Sequence, residues 1–362
     1  MNYGDEAMGP NSEDIKNGNI NRIVELLENG MDVNEEIVVG NSKELPINYA
    51  LENRQCDIVR LLADNGAILN DESNPVIVTA ARYGNEEIIR YLLSKGADIN
   101  ATNRFEISAL EEAISWNNDI DLKIFVDSGI DMNEHGGNAL RSAALDGNLQ
   151  VVQFLVREGA NINYCGPGLH SNPTPLHVAV SKGHTDIVDF LLENGADLSI
   201  QNRYGARPYV CAKEAKNDLF ASKIKLLEPI EWHDAHKRNE ELLSMGLRKE
   251  IVAFLGTDNK TIQLKESTCA EYIEFRTIFE VTAFRWKDYV VLDLLREVEG
   301  YDALGVLLWV PEEEKFAFLD VDHEQFGLIP DLTWDEFINN STVYIDGILT
   351  GEYEDDSEDE WY

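Results

Sequence analysis

"TPLHVAVSKGHTDIVDFLLENGADL", residues 174–198, decides how this chain is read. Its end, NGADLS, recurs as NGMDVN (29–34), NGAILN (65–70), KGADIN (95–100), SGIDMN (128–133) and EGANIN (158–163). The glycines of these tails stand at 30, 66, 96, 129, 159 and 195, so the steps between them are 36, 30, 33, 30 and 36 residues. Before each tail sits an apolar helical signature: IVELL, IVRLL, IIRYLL, LKIFV, VVQFLV and IVDFLL. A period of this size is the mark of a stacked array, in which each unit is a supersecondary element too small to bury its own apolar face.

The residues of the clean copy account for the unit physically. Thr174 is placed to cap a helix, and Pro175 suits the first helical position, where its missing N–H costs nothing. Ala179 is small where two helices must approach closely. Gly183 turns the chain into a second helix, and Gly195 can take the left-handed conformation that ends it. The outer copies degrade as ends of a stack should. PNSEDIKNG (10–18) is almost entirely polar and reads as an N-terminal cap. NRYGARPYVCAKEA (202–215) restarts the pattern, and LFASKIKLLE (219–228) lacks the NGAD exit, so this copy reads as the closing unit. The fourth copy departs most, with Glu111 at the TPLH histidine position and Asn117–Asn118 in place of Gly–His.

The pattern resembles the ankyrin repeat, whose period is about 33 residues and whose core reads TPLHxA. The resemblance covers residues 11–227, and it implies a mainly α fold: an ankyrin-repeat solenoid of six repeats plus a capping unit over 1–228. It also implies a protein-binding scaffold, and makes His177 and His184 structural residues that hold turns. Aligned to the clean copy, the two positions before each Gly–His turn face the binding groove, and the fingertips flank it. The expected partner-binding residues are therefore Glu52, Arg82, Tyr83, Trp116, Leu145, Asp146 and Lys182, with Arg104, Phe105, Arg203 and Tyr204 at fingertips. Tyr83, Phe105 and Trp116 are large aromatics at positions where folding alone has no use for them, and aromatics and arginine dominate interface energetics.

After residue 229 the repeat is gone. The segment 229–350 reads as a small acidic α+β domain. HDAHKRNEELLSMGLRKEIVAFLG predicts one or two helices, EYIEFRTIFEVTAFRW (271–286) strands, and DYVVLDLLREVEG a helix ending at Gly300. ALGVLLWVP and KFAFLDVD flank a charged turn as a hairpin. LTWDEFINN carries a capping box from Thr333 to Glu336, and TVYIDGIL predicts a last strand. The domain matches no named family, and bears a distant resemblance to compact bacterial immunity proteins that accompany polymorphic toxins. Residues 351–362 form an acidic tail, in which Glu352, Glu354, Asp355, Asp356, Glu358, Asp359 and Glu360 are expected to form an acidic contact surface.

Charge narrows the function. The formal net charge is −37, and residues 228–362 hold 33 acids against 11 bases. Such a surface repels nucleic-acid phosphates and anionic membranes and draws in basic proteins. The four cysteines, Cys56, Cys165, Cys211 and Cys269, are widely spaced and read as reduced thiols. The first sixteen residues lack an apolar core, which predicts no secretory signal, and no apolar run is long enough to span a bilayer. A cytoplasmic protein is expected. No motif for nucleophilic, phosphoryl-transfer or dinucleotide chemistry is present. In DVDHE (320–324), Asp320, Asp322 and Glu324 alternate around His323, but the twelve-residue frame of a calcium loop is missing, so the segment reads as a strand end turning into an acidic loop. No metal and no cofactor are expected. The composite expectation is a non-enzymatic binding protein for a basic protein partner, specifically an immunity or inhibitor protein that neutralises a toxin or nuclease-like enzyme. A scaffold or host-directed effector is the first alternative, and an enzyme with a site near His323 the second.

Overall fold

The computed structural model describes residues 12–116, 120–167, 169 and 171–353. Seven helix pairs run through the repeat tract: α1 (Ser12–Lys16) and α2 (Ile20–Glu28), α3 (Pro46–Glu52) and α4 (Cys56–Asp64), α5 (Val76–Tyr83) and α6 (Glu86–Ser94), α7 (Ala109–Ser115) and α8 (Lys123–Asp127), α9 (Gly136–Leu145) and α10 (Leu149–Arg157), α11 (Pro175–Lys182) and α12 (Thr185–Glu193), α13 (Pro208–Glu214) and α14 (Asp218–Leu227). Contacts divide the chain into two compact units. One holds the described residues up to 169 with 174–179 and 184–196, and the other holds 171–173, 180–183 and the described residues from 197 onward.

In the first unit, the first helix of each pair packs on the first helix of the next, from α1 through α3, α5 and α7 to α9. The second helices stack likewise, α2 on α4 on α6, and α10 on α12. What permits the inner stacking is a buried alanine in each first helix from α3 to α11: Ala50, Ala80, Ala113, Ala143 and Ala179. The outer helices bury a stripe of apolar residues one turn apart, such as Ile58, Val59 and Leu62, then Ile88, Ile89 and Leu92. Each second helix ends on a glycine with positive φ, between +88° and +97° at 30, 66, 96, 129, 159 and 195, where a side chain would be strained.

The last residue of each tail also has a task. Asn34 accepts from Ile68 N at 2.7 Å and donates to Gly66 O at 3.2 Å. Asn70 accepts from Asp98 N at 2.8 Å and donates to Gly96 O at 3.0 Å, and Asn100 accepts from Asp131 N at 2.7 Å. In these three tails a side-chain amide thus staples one repeat to the next. In the clean copy, His177 Nδ1 lies 2.7 Å from Thr174 Oγ1, and the His184 ring donates from Nε2 to Leu145 O at 3.2 Å, the turn-holding roles the resemblance implies.

Between the first two pairs lies an element that repeat spacing does not demand, a two-stranded hairpin of β1 (Ile37–Val39) and β2 (Ser42–Glu44). It takes up the extra length of the 36-residue step, and Gly40, at φ +62°, supplies its turn.

In the second unit, α13 and α14 join a 3₁₀ turn (Ile230–His233), α15 (Ala235–Ser244), α16 (Lys249–Leu255), eight strands, α17 (Trp334–Asn339) and α18 (Ser341–Leu349). The strands are β3 (Thr261–Gln263), β4 (Tyr272–Phe275), β5 (Thr282–Trp286), β6 (Tyr289–Asp293), β7 (Leu295–Val298), β8 (Leu308–Val310), β9 (Lys315–Asp320) and β10 (Gln325–Leu328). They form two antiparallel sheets, ordered β10–β9–β8–β6–β5 and β3–β4–β7. The hairpin across EEEK and the capping box at Thr333 stand where the sequence places them.

Two expectations are corrected. DYVVLDLLREVEG forms strands β6 and β7, not a helix. Val291 buries against Phe284 and Leu308 while Leu292, Leu294 and Leu295 bury on the other side, so the run is apolar on both faces and its spacing carries no helical stripe. TVYIDGIL forms α18, not a strand: Ile345, Ile348 and Leu349, spaced as on one helix face, pack on the main core with Tyr344, and tertiary packing overrides their β preference.

A buried ion cluster ties α13 to these strands. Arg276 on the segment after β4 donates from Nε and Nη2 to Asp293 Oδ2 at 3.2 and 2.7 Å and from Nη1 to Glu214 at 2.7 Å. Burial pushes the Asp293 carboxyl up to about 6 against the pull of Arg276. The repeat tract runs to 228 in sequence, but in contacts its last helix pair belongs to the second unit.

Two stability measurements check these links by chemical denaturation. Asn70→Ala removes two inter-repeat hydrogen bonds and is expected to cost about 1–2 kcal/mol. Asp293→Ala strands a buried guanidinium and is expected to cost about 3 kcal/mol or more in the unfolding of the second unit.

Candidate partner-binding surface

The first unit contains a cavity of about 430 Å³ lined by residues of the β1–β2 hairpin, helices α3, α5 and α7, and the fingertips that follow. Glu52, Arg82, Tyr83, Arg104 and Phe105, five of the residues expected at the groove, meet there. Trp116, at the C-terminal end of α7, joins them through Arg82, whose guanidinium lies 3.4 Å from the Trp116 ring centroid and 4.8 Å from that of Tyr83. Arg104 lies over Phe105 at 4.8 Å. The spacing explains the convergence. Arg82 and Trp116 occupy the C-terminal turns of successive inner helices, α5 and α7, which pack on each other, so residues a repeat apart become neighbours.

Arg82 is the electrostatic centre. Its Nη1 reaches Glu112 Oε1 at 3.5 Å, and Glu112 is only 8% exposed. Burial raises the Glu112 carboxyl above its usual range while Arg82 opposes that rise. Glu52 is likewise pushed up by burial, then by the nearby Glu44 charge, with Arg82 acting against both. Glu44 is raised by burial alone. The aromatics around this centre are open: Phe105 is 65% and Trp116 55% exposed. Large rings left in solvent beside a held guanidinium give flat, rigid area at low entropic cost, as binding surfaces use it.

The remaining expected residues lie elsewhere. Asp146 lines a separate recess with Ser115, and Leu145 is half-buried with its carbonyl taken by His184. Lys182 is exposed at the end of α11. Arg203 is exposed, with its guanidinium 5.5 Å from the Trp286 ring.

Tyr204 requires a correction. It is 5% exposed and sits in the second unit's core against Phe284, ring edge to face at 5.3 Å, so it is not available at a fingertip. The cause is the neighbouring Gly205, at φ +74°, whose missing side chain lets the backbone lie against Ala283 O.

Of the acidic contact surface, Glu352 is exposed, while Glu354, Asp355, Asp356, Glu358, Asp359 and Glu360 lie outside the described residues, as do Asn117 and Asn118. His323 stands on the turn between β9 and β10, with its Nδ1 2.7 Å from Asp320 Oδ2. Asp320 Oδ1 also accepts from the backbone of Asp322 and His323, so this carboxylate is engaged in shaping the turn.

Glu44 and Asn48 are among the lining residues that sequence reasoning missed. Glu44 could have been found from IVVGNSKE, where a Gly–Asn pair between short strand-like runs signals a hairpin inside the long first step. Asn48 occupies the TPLH histidine position of its repeat.

Comparison with known proteins agrees with this architecture. The ankyrin-repeat family matches in three overlapping copies, over residues 14–103, 77–164 and 110–202, and no family matches the residues beyond. The chain is 29% identical over 209 residues to the ankyrin repeat and KH domain-containing protein mask-1 of Caenorhabditis elegans, covering 56% of this chain and 8% of that protein. It is 28% identical over 191 residues to the nuclear factor NF-kappa-B p105 subunit of Gallus gallus, covering 49% and 19%. It is 26% identical over 223 residues to the putative ankyrin repeat protein L271 of Acanthamoeba polyphaga mimivirus, covering 59% and 29%. The chain therefore spans less than a third of the length of each of these relatives. Among the described residues no helix is long and apolar enough to cross a membrane.

Phe105 and Tyr204, equivalent in sequence, are expected to separate in a melting experiment. Phe105→Ala leaves stability within about 0.5 kcal/mol, and Tyr204→Ala lowers it by about 3 kcal/mol.

Proposed function

We propose, from the premise that this chain belongs to the ankyrin-repeat family, that it is a non-enzymatic binding protein which grips a basic protein partner in the cavity around Arg82. The observation that carries the reading is the exposure of Trp116 against that arginine and of Phe105, under Arg104, at the same cavity, where they contribute little to the fold. Ankyrin stacks are protein-interaction modules, because the residues on their groove face are free of the core's constraints. The net charge of −37 supports a basic partner: long-range attraction speeds the encounter, and like-signed surfaces are excluded.

The finer reading is a cytoplasmic immunity or inhibitor protein that blocks a toxin or nuclease-like enzyme. Enzymes that act on nucleic acid carry basic substrate clefts, and an acidic binder complements such a cleft and keeps phosphates out. The acidic second unit and the residues after 351 would add a further contact surface to the same partner.

Affinity purification of the tagged full chain from its native source at low salt tests this. The expected capture is a basic protein whose affinity falls steeply as salt rises. The paired substitution of Phe105 and Trp116 by alanine is expected to weaken capture by more than about thirtyfold, since one such truncation costs about 2 kcal/mol. A neutral or acidic partner held with salt-independent affinity contradicts the proposal.

A further inference from the structure

The same cavity has a second region, away from Arg82's ion pair, built from acceptors. Asn48 and Glu52 stand four residues apart on one face of α3, and Glu44 comes from the end of the hairpin. Asn48 is 2% exposed, and its Nδ2 donates to Asn74 O at 2.8 Å. Its Oδ1 and the Oε2 of Glu44 are both buried, with no protein hydrogen-bond partner. In the clean repeat the histidine at Asn48's position is fully engaged in its own turn, with Thr174. Asn48 by contrast leaves an acceptor over.

The resident cations do not answer this demand. Arg82 is held by Glu112 and the Trp116 ring. Lys43 and Arg104 are exposed, and among the described residues neither Glu44 nor Glu52 forms an ion pair within 4.0 Å. Folding therefore leaves the buried Glu44 Oε2 and Asn48 Oδ1 without a donor beside the half-buried Glu52 carboxylate, an arrangement that costs stability unless a donor arrives. Burial accordingly raises both carboxyls.

We infer that Glu44, Asn48 and Glu52 form a subsite for a single arginine side chain projecting from the protein partner. This rests on the proposed protein-binding role of the cavity. Arginine fits because it brings five donors in a planar fork, which can serve divergent carboxylate and amide acceptors at once. The subsite explains why the hairpin is inserted in the first repeat step: it delivers Glu44.

The test is a titration of the full chain with N-acetyl-arginine amide, followed by NMR at the Asn48 side-chain amide and the backbone of residues 44–52 and 78–83, with N-acetyl-citrulline amide as the uncharged isostere. The expected result is saturable shifts at those residues with arginine only. In the Glu44→Gln/Glu52→Gln variant the affinity falls by about tenfold or more, as removal of charge-assisted hydrogen bonds predicts. The variant is expected to melt no lower than the parent, because the substitution removes half-buried charge that no ion pair holds while keeping shape. Equal shifts with citrulline, or an unchanged arginine affinity in the variant, overturns the subsite. Asn48→Ala, which leaves both carboxylates in place, gives a second check and is also expected to weaken arginine binding. If partner capture still depends on Phe105 and Trp116 while the arginine titration fails, only the subsite falls. If capture is indifferent to Phe105 and Trp116, the cavity reading itself falls.

Discussion

A helix pair of this size cannot bury its apolar stripe alone, so every other feature of the first unit depends on the interface between consecutive repeats. Two small groups make that interface possible. The alanine within each inner helix from α3 to α11 lets backbones approach, and the asparagines that close the first three tails spend their side-chain amides on the next repeat's backbone. Neither is energetically large by itself. Their regular recurrence converts a sum of marginal units into one stack, in which stability is set by nearest-neighbour terms. It also dictates the surface, because once inner helices are pinned side by side, residues one repeat apart become neighbours.

The cavity around Arg82 is a product of that geometry. Arg82, Tyr83, Phe105 and Trp116 are scattered over more than thirty positions in sequence, yet meet because they occupy equivalent or adjoining places in successive units. The arginine is held between an ion pair with a nearly buried glutamate and a ring face, so it stands ready without having to be ordered on binding. Alongside it, one carboxylate oxygen of Glu44 and the Asn48 amide oxygen are buried without a hydrogen-bond partner, next to the half-buried Glu52. Sites that depart from the rules of a satisfied core are where function is expected to reside.

Much of this was legible in the sequence, and what was not has physical reasons. The repeat period, its capping glycines and the inward-facing pairs at the ends of inner helices follow from residue type and spacing, and three of those paired residues share one cavity with two fingertip residues. Tyr204 was misread because a fingertip looks the same in sequence whether solvent or another sheet lies over it, and only the close approach at Gly205 shows which. The strands of 289–298 looked helical because a run buried on both faces carries no stripe at either period. The helix of 341–349 looked like a strand because valine and isoleucine prefer strands until packing decides otherwise. Glu44 and Asn48 escaped notice since the hairpin that carries one, and the vacated histidine position of the other, are departures from the repeat, while the reading was guided by its regularities.

The second unit is held differently, through the buried Arg276–Asp293 pair with the exposed Glu214 and an aromatic core around Phe275, Phe316, Trp334 and Phe337. That places its weight on rigidity and leaves the open aromatic surface to the repeats. Hydrogen–deuterium exchange of the full chain, free and bound to its captured partner, tests this division most directly. The account predicts slowed exchange over residues 42–53, 76–83 and 103–116 on binding. Unchanged exchange in all three segments, with protection confined to residues 229–353, would contradict it.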